Sequence, residues 1–380
     1  MKLALVTRYP RDPEAPCGGV EAVSVALVRA LARRADVDLH VVTTDDVTGA
    51  QDETEHGVRV HRLPRRGGRV LTEAIGPGRR QMRRYLTALA PDVIHSHDVC
   101  GLMVKGLPVP RVFTVHGFIH ADTRVSGGRF ALVRSYLWSW VERAGFRDQP
   151  HIISISPYVR ERLSGTVPGT IHDIENPVAE PFFRIARRER PGTIFSAAAV
   201  EPRKNTLGLV EAFARVAAQR PEARLRLAGG VADAAYGRRV DERIAELGIG
   251  AQVTRLGPVS SDAIRAELSM AAVFALVSLE ENAPMAIEEA MAAGVPVVTS
   301  NRCGMPFLVR DGASGFLVDP TDPGDVAARL EALLADDTRR AAMGACSRQI
   351  AEERFHPDAI AARTMDVYRC ALAGRGPRPA

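Results

Sequence analysis

The sequence predicts an α/β protein built from two doubly wound domains that face a central cleft. The chain has 380 residues, more than one hydrophobic core usually serves, so two domains are expected. Short apolar segments alternate with helical patterns along most of the chain, which indicates parallel sheets covered by helices. The alternation stops at "IENPV" (174–178) and then starts again. We therefore expect a linker between two similar halves.

The first half contains the elements of one such domain, which we assign to residues 1–175. "KLALVTR" (2–8) is a predicted strand, and "VEAVSVALVRALARR" (20–34) has apolar residues spaced three and four apart, as in a helix with one buried face. The segments "VDLHVVTT", "PDVIHSH", "RVFTVHG" and "HIISISP" are further predicted strands, each ending in polar residues.

The second half, residues 176–355, repeats the alternation. Its predicted strands are "GTIFSAAAV", "ARLRLAGG", "QVTRLGPV", "AVFALVS", "VPVVTS" and "SGFLVDP". A last helix, from about Pro357 to Ala373 within residues 356–380, is expected to pack back on the N-terminal domain, and the tail "GRGPRPA" is expected to be disordered. Ligands of open α/β sheets bind outside the carboxyl ends of the strands, so the cleft is the expected site.

Composition narrows the class of protein. The chain is 46% hydrophobic and 25% charged, as is usual for a globular enzyme. The apolar run at the start is too short for a secretory signal, and no segment has the roughly 18–20 apolar residues of a membrane span. Five scattered cysteines without a CxxC pair indicate a reduced, cytoplasmic protein with no zinc site.

Positive charge is concentrated in one stretch. The formal net charge is +5, and nearly all the basic residues are arginines, a bias that does not by itself indicate nucleic-acid binding. The stretch 62–84 carries Arg62, Arg65, Arg66, Arg69, Arg79, Arg80, Arg83 and Arg84. These residues could contact phosphates or an anionic membrane at the inner membrane face. The alternative is a solvated helix and loop.

Two carboxylates lie in a helix that otherwise looks buried. "ENAPMAIEEAMAAGVPVV" (281–298) predicts a helix over residues 283–293, with Pro284 in its first turn and Gly294 at its end. Glu288 and Glu289 face Ala and Met side chains, and burying an ionised carboxylate without partners is costly. Vicinal sugar hydroxyls would be suitable donors. Glu281 and Glu289 are eight residues apart, about 12 Å along a helix, a separation that fits the two ends of a nucleotide-sugar.

The same segment resembles the E-x7-E motif of the family-4 retaining glycosyltransferases, which have the GT-B fold. "SNRCGMPFLVRDGASGFLVDPTD", "GGVE" (18–21), "PDVIHSHD", "TVHG" and "ISISP" follow in family order, so the resemblance covers essentially the whole chain. It implies that Glu289 binds the donor ribose and that Glu281 contacts the donor sugar. The backbone of the next residues would approach the sugar and the diphosphate, namely Asn282, Ala283, Pro284 and Met285.

The basic partner of the diphosphate is expected in "AAAVEPRKNTLG". Family members commonly have GRxxxxK here, and Lys204 matches the lysine, whereas Ala199 stands at the arginine position. Arg203 is the neighbouring candidate to replace that arginine. A cation on a leaving diphosphate stabilises the charge that develops there. In "GMPFLV", Phe307 stands where the family often has Glu.

Further site residues are expected in the N-terminal half. Gly18 and Gly19 lie between a strand and a helix, where the backbone can approach a phosphate closely, and they do not form the GxGxxG of a dehydrogenase. The resemblance implies that His116 contacts the donor sugar or the reacting centre; a structural histidine is the alternative. His95, His97 and Asp98 could line the acceptor side. No third ligand is spaced for a metal, and the family needs none.

The sequence therefore predicts a retaining, metal-independent glycosyltransferase without cofactor that moves a sugar from a UDP-sugar or GDP-sugar to an unknown hydroxyl acceptor. Glu281, Lys204 and His116 are the expected catalytic residues. One alternative is a GT-B protein that binds sugar nucleotides but has lost activity, which Ala199 makes conceivable. The other is a glycosidase using Glu281 and Glu289, which would need the two carboxyl groups about 5–9.5 Å apart around one bond.

Overall fold

The computed structural model describes residues 1–55, 57–66, 70–126 and 131–374. Arg69 and residues 375–380 of the predicted tail lie outside the described residues. The chain divides into two compact units. Unit 1 contains Met1–His120, Val133–Pro177 and the C-terminal segment from Pro357, and unit 2 contains Ala121–Leu132 and Val178–His356.

Unit 1 is organised around a mostly parallel sheet. Its strands are β1 (Lys2–Val6), β2 (Asp38–Asp45), β3 (Gln51–Glu55), β4 (Val58–Pro64), β5 (Val93–His97), β6 (Arg111–Val115), β7 (His151–Ser154) and β8 (Thr170–Asp173). Their order is β3-β4-β2-β1-β5-β6-β7-β8, with the parallel register Leu3↔Val93 and Leu3↔Leu39 on the two sides of β1. The edge strand β3 pairs antiparallel with β4. The sequence analysis did not predict β3, β4 or β8.

The helices before residue 178 connect these strands. They are α1 (Gly19–Ala32), α2 (Val70–Ile75), α3 (Pro77–Leu89), α4 (Cys100–Val104), α5 (Ile119–Ser126), α6 (Ala131–Phe146) and α7 (Pro157–Leu163). Successive residues of β1 face opposite sides of the sheet. Leu3 and Leu5 belong to one apolar cluster, whereas Ala4 and Val6 belong to another. The sheet of unit 1 is therefore buried on both faces, as the near-continuous apolar strands predict.

Unit 2 has a second, fully parallel sheet. Its strands are β9 (Thr193–Ala197), β10 (Arg224–Ala228), β11 (Val253–Gly257), β12 (Val273–Leu276), β13 (Val297–Ser300) and β14 (Gly315–Val318), in the order β11-β10-β9-β12-β13-β14. The order reverses between β9 and β12, which is the switch point at which open α/β sheets bind ligands.

The helices of unit 2 cover this sheet. They are α8 (Glu180–Phe183), α9 (Thr206–Gln219), α10 (Ala234–Glu246), α11 (Ser261–Met270), α12 (Met285–Ala292), α13 (Pro323–Leu334) and α14 (Asp337–Phe355). Side chains from α9, α13 and the central strands, such as Phe213, Leu330 and Val273, form one buried cluster. The prediction of two parallel-sheet α/β domains is confirmed.

The last helix, α15 (Pro357–Ala373), belongs to unit 1. Its Ile360, Met365 and Tyr368 side chains lie in the apolar cluster that also contains residues of α1. Near its C-terminal end the Tyr368 hydroxyl is 2.7 Å from Nδ1 of His95 on β5. A helix with no strand after it thus completes the core of the first unit.

Candidate functional site

A short turn after β9 carries the basic residues of the site. The turn Pro202–Lys204 is a 3₁₀ helix, and Asn205 follows it in the left-handed region with φ 55°. Asn tolerates this conformation better than most residues. The Asn205 side-chain amide donates to the carbonyl oxygens of Val277, at 3.2 Å, and Pro320, at 2.7 Å. These two bonds fix the turn against the segment that follows β12.

Lys204 and Arg203 converge on Glu281 in that segment. The Lys204 ammonium donates to one carboxylate oxygen of Glu281, and Nη1 of Arg203 is 3.3 Å from the other. Arg203 also donates to the Glu280 carbonyl and to the Glu201 carboxylate, both at 3.0 Å. Arg203 is therefore directed into the site. The structure brings two adjacent predicted residues together with a third that lies 77 positions after Lys204.

The charge state of Glu281 follows from these neighbours. Burial opposes its ionisation, since only 8% of the residue is exposed, but the charges of Lys204 and Arg203 outweigh that cost and hold the pKa of Glu281 below its ordinary value. Glu281 is an anion at neutral pH. Its carboxylate can accept hydrogen bonds from hydroxyl groups, and it holds two cations in place.

Helix α12 begins later than the sequence predicts. It starts at Met285, and Pro284 is the N-cap residue with extended backbone geometry, so the predicted start at residue 283 is wrong. Pro284 ends the preceding loop because its ring fixes φ and removes a donor. Gly294, with φ 71°, follows the helix, as predicted for a helix end. In the first turn the N–H groups of Ile287 and Glu288 donate to the Pro284 carbonyl oxygen, at 3.0 and 3.4 Å. The N–H groups of Met285 and Ala286 lie at the helix start, where an anion is favoured.

The loop before α12 is held by a close backbone contact. The Gly304 N–H donates to the Glu281 carbonyl at 2.8 Å. A Cβ atom at Gly304 would lie 1.7 Å from the carbonyl oxygen of Asn282, so only glycine fits this position. Asn282 is buried and Ala283 is half-buried. The backbone of residues 281–284 is thereby fixed from two sides, by the turn after β9 and by the loop at Gly304.

Glu288 and Glu289 have different surroundings on α12. Glu288 is fully buried, whereas Glu289 is half-buried. Burial raises the pKa of Glu289 to about 8, and the charge of Arg265 opposes the shift only in part. A carboxyl group with a raised pKa and partial access is a frequent feature of binding sites. Glu289 lies four residues after the helix start, about 6 Å along the axis.

The predicted glycine loop lies in unit 1. Gly18 has φ 111° and precedes α1, which begins at Gly19. Such a φ strongly favours glycine. Cys17 and Glu21 flank the two glycines, and the Glu21 carboxylate accepts from the Cys17 N–H at 2.7 Å. Both residues line a pocket of about 590 Å³ that also contains the exposed Arg8.

His116 follows β6 and belongs to a histidine network in unit 1. Its N–H donates to Asp98 at 2.9 Å, and its Nε2 is 3.2 Å from Nδ1 of His97. Burial lowers the pKa of His116 below its ordinary value, although Asp98 and Asn176 oppose the shift. The imidazole is therefore neutral at physiological pH, so it can donate one hydrogen bond and accept another without carrying a charge.

The two histidines of β5 differ in their bonding. Both ring nitrogens of His95 are used internally, by Tyr368 and Thr114, each at 2.7 Å, and burial lowers the pKa of His95 to about 3. His95 thus joins strands to α15, and its predicted place on the acceptor side is wrong. Among the residues that the structure describes, Nε2 of the buried His97 has no hydrogen-bond partner, which leaves it available to a ligand or water.

Several site residues were missed by the sequence analysis. The sequence could have indicated Asn205, because an asparagine between a turn and a helix often adopts the left-handed backbone conformation. Gly304 had a weaker one, a glycine between Cys303 and a Met-Pro pair. Nothing in the sequence pointed to Arg265, because its effect on Glu289 depends on the folded arrangement of α11 and α12.

The described part of the chain contains no cluster of three or more His, Cys, Asp or Glu side chains placed to hold a metal ion. None of its helices is both long and apolar enough to cross a membrane.

The arginine-rich stretch 62–84 does not form one continuous basic surface. Arg62 is only 1% exposed and donates to Glu53 at 3.0 Å and to the Pro10 carbonyl at 2.9 Å. Arg79 and Arg83 both donate to the carbonyl oxygen of Lys105. These three arginines stabilise unit 1, so the expectation that the whole stretch faces a membrane or phosphates is wrong for them. Arg80 and Arg84 are exposed.

The fold and the site together define a class of protein: an α/β protein with a candidate site for an anionic ligand where a cationic turn meets the start of a helix. Comparison with known families specifies the class. Residues 17–180 match the model described as Glycosyltransferase Family 4, and residues 178–350 match Glycosyl transferases group 1. The chain belongs to the family-4 type of glycosyltransferases with the GT-B fold.

Individual relatives agree with this assignment. The D-inositol 3-phosphate glycosyltransferase of Corynebacterium kroppenstedtii is 33% identical over 44% of this chain, and the match covers 38% of that protein, well under two thirds of its length. Sucrose-phosphate synthase from Thermosynechococcus elongatus has a similar structure, with a TM-score of 0.83 and 21% identity over 98% of this chain and 100% of that one. The structure of Anabaena Alr3699/HepE in complex with UDP-glucose is also similar, with a TM-score of 0.75 and 17% sequence identity. The match covers 97% of this chain and 100% of that one.

Proposed function

We propose that the protein is a retaining glycosyltransferase that transfers a sugar from a nucleotide diphosphate to a hydroxyl group of an acceptor. The observation that carries the proposal is the convergence of Lys204 and Arg203 on Glu281, directly before the N-terminus of α12. Cations and free N–H groups side by side suit a diphosphate, and the adjacent carboxylate suits sugar hydroxyls. The UDP-glucose bound to the Anabaena protein supports a nucleotide-sugar donor. UDP-sugars and GDP-sugars are both candidates.

Each predicted residue has a role in this proposal. Lys204, assisted by Arg203, stabilises the negative charge on the leaving diphosphate. Glu281 binds donor-sugar hydroxyls, Glu289 binds the ribose hydroxyls, and the backbone of residues 282–285 follows the sugar and the phosphates. In unit 1, His116 contacts the donor sugar, and the Gly18–Gly19 backbone approaches a phosphate.

The reaction breaks the bond between the anomeric carbon and the diphosphate oxygen, and the nucleoside diphosphate leaves with the bonding electrons. The acceptor oxygen forms its bond on the same face of the sugar, and its proton passes to the departing phosphate. No covalent intermediate with a protein side chain is required. Positioning and charge stabilisation supply the catalysis, and no metal ion takes part. The five free cysteines support a reducing cytoplasmic location.

The opposite pKa shifts of Glu281 and Glu289 favour one alternative, a glycosidase. An ionised carboxylate beside a protonated one is the usual pair of such an enzyme. Against this stands the bonding of Glu281 to Lys204 and Arg203, because two cations on the nucleophile would reduce its reactivity. A glycosidase would also release sugar without any nucleotide donor.

The test is a donor screen followed by product analysis. We expect a UDP-sugar or GDP-sugar to raise the melting temperature, whereas the free sugar does not. With the stabilising donor and candidate acceptors, NMR of the product should show the anomeric configuration of the donor. An inverted product would contradict the retaining mechanism. Hydrolysis of the donor without acceptor would exclude the inactive alternative, and turnover of a glycoside without nucleotide would establish the glycosidase.

A further inference from the structure

We propose that α6 docks unit 1 on an anionic lipid surface. The contact surface, here called the α6 face, combines apolar and basic side chains of α6 and of the residue that directly follows it: Val133, Tyr136, Leu137, Trp140, Arg143 and Arg147. This inference does not depend on the proposed glycosyl transfer.

The apolar part of the α6 face is unusually exposed. Tyr136 is 77% exposed and Trp140 is 70% exposed, and Val133 and Leu137 are also exposed. Residues three and four apart lie on the same side of a helix, so the four side chains form one continuous patch. Most of the large apolar side chains that are exposed in the described chain lie on this helix. A contiguous patch of this kind marks an interaction surface.

The opposite side of α6 is fixed to unit 1. The Ser135 hydroxyl donates to the His120 carbonyl at 2.7 Å, and the Glu142 carboxylate accepts from the Ile119 N–H at 2.6 Å. The Phe146 ring lies 5.8 Å from that of Phe113. Rotating the helix to bury its apolar patch would break these contacts. The exposure of the α6 face is therefore a consequence of how the helix is anchored.

Basic residues continue the same side of the helix. Arg143 is three residues after Trp140. Arg147 is the first residue after the helix, its N–H donates to the Arg143 carbonyl at 3.1 Å, and both side chains are exposed. Within the part of the chain that the structure describes, neither has a carboxylate within ion-pairing distance. Unpaired cations beside an apolar patch are attracted to anionic headgroups, and Trp and Tyr prefer the boundary between headgroups and acyl chains. The combination is typical of a helix that lies in a membrane interface.

A second copy of the chain fits the α6 face less well. An antiparallel pairing of two α6 helices would place Arg143 and Arg147 against the apolar residues of the partner. A parallel pairing would place the same arginines side by side. Either arrangement removes unpaired charges from water without a counter-ion, which is costly. A lipid bilayer supplies both the apolar layer and the anions.

The position of the two tryptophans allows a direct test. The chain contains two, Trp138 and Trp140, and both lie on α6. Trp138→Phe leaves Trp140 as the only tryptophan. We expect its emission to shift to shorter wavelength on addition of vesicles of phosphatidylcholine and phosphatidylglycerol in equal parts. Vesicles of phosphatidylcholine alone should give a much smaller shift.

Co-flotation with the same vesicles separates the contribution of the apolar side chains to binding from that of the basic ones. Tyr136→Ser/Trp140→Ser and Arg143→Glu/Arg147→Glu should each lower the bound fraction by about tenfold or more at low salt. Arg80→Glu/Arg84→Glu makes the same charge change on α3 and should leave binding nearly unchanged. Circular dichroism controls for folding, which these exposed substitutions should not affect.

Three results would overturn the proposal. The first is absence of the protein from floated anionic vesicles together with an unshifted Trp140 emission. The second is binding that only the Arg80→Glu/Arg84→Glu variant loses, which would assign the contact to α3. The third is a dimer in sedimentation velocity that Tyr136→Ser/Trp140→Ser abolishes, with no vesicle binding, which would make the α6 face a self-association surface.

Discussion

The ammonium group of Lys204 donates a hydrogen bond to the carboxylate of Glu281, although the two residues are 77 positions apart in the chain. Both side chains are largely buried, with 15% and 10% exposed. A buried ion pair is expensive to break, because removing one partner leaves an unpaired charge. The site that we propose for the donor is therefore assembled before the donor arrives. A charge that is fixed in advance stabilises a transition state without the cost of reorganisation.

Replacing Lys204 by alanine should impair catalysis more than binding. Charge grows on the diphosphate as the sugar bond breaks, so the cation contributes most in the transition state. We expect Lys204→Ala to lower kcat by roughly 10²–10³-fold, with a smaller rise in the donor KM. Steady-state kinetics with the identified donor measure both. Lys105→Ala, at another partly buried lysine, is the matched control, and near-normal turnover of Lys204→Ala would show that other groups hold the phosphate.

Arg203→Ala should disturb the organisation of the site. The Arg203 side chain is directed to Glu281, Glu280 and Glu201 rather than to solvent. Losing hydrogen bonds between charged groups typically costs about 1.5–3 kcal/mol, and we expect a loss of this size in the free energy of unfolding. Urea denaturation measures it, with Arg238→Ala on the exposed side of α10 as control. Equal stability of Arg203→Ala and wild type would mean that these contacts contribute little.

Ionisation of Glu289 should reduce stability at alkaline pH. Burial raises its pKa to about 8 in the folded chain, above the value of about 4.3 in an unfolded chain. Between these values the folded state binds more protons. The stability contributed by protonated Glu289 is therefore complete below the lower value, is lost progressively as pH rises from there to about 8, and changes no further above it. Glu289→Gln cannot ionise, so its melting temperature relative to wild type should increase from about pH 5 to about pH 8 and then stay constant.

The control for this titration is Glu222→Gln, at an exposed glutamate of unit 2. Its melting temperature relative to wild type should stay constant over the same range. A constant difference for Glu289→Gln as well would show that Glu289 is ionised in the folded chain throughout.

Turnover should survive removal of divalent cations. The proposed cations on the diphosphate are Lys204 and Arg203, assisted by the N–H groups at the start of α12. We expect the rate in excess EDTA to equal the rate with added Mg²⁺ or Mn²⁺. A rate that EDTA abolishes and either ion restores would require a metal site in the reaction.

The sequence was sufficient to predict both α/β domains and the end of the helix that carries Glu289. These features depend on local apolar periodicity and on residues with special backbone geometry, such as Gly294. The resemblance also pointed to Lys204, which matches the lysine of the GRxxxxK pattern, and its role on the diphosphate stays a prediction. The prediction of α15 was accurate to the residue, at Pro357 and Ala373.

Contacts between distant segments could not be predicted in the same way. Whether Arg203 points to solvent depends on the loop at Glu280, and the role of His95 depends on Tyr368, more than 270 residues later. The arginine-rich stretch looked uniform in sequence, yet Arg62 is buried and ion-paired through the fold of β3 and β4. Spacing along the chain gives no information on such tertiary partners.

We propose that the segment from Glu281 to Glu289 in unit 2 binds the nucleotide-sugar. Titration calorimetry of the donor with wild type and with Glu289→Ala measures this binding directly. We predict that Glu289→Ala weakens binding of the donor identified in the screen by roughly tenfold or more, because a carboxyl group that forms hydrogen bonds with the ribose hydroxyls is lost. Glu222→Ala should bind as wild type does. Unchanged donor affinity in a folded Glu289→Ala protein would contradict the account.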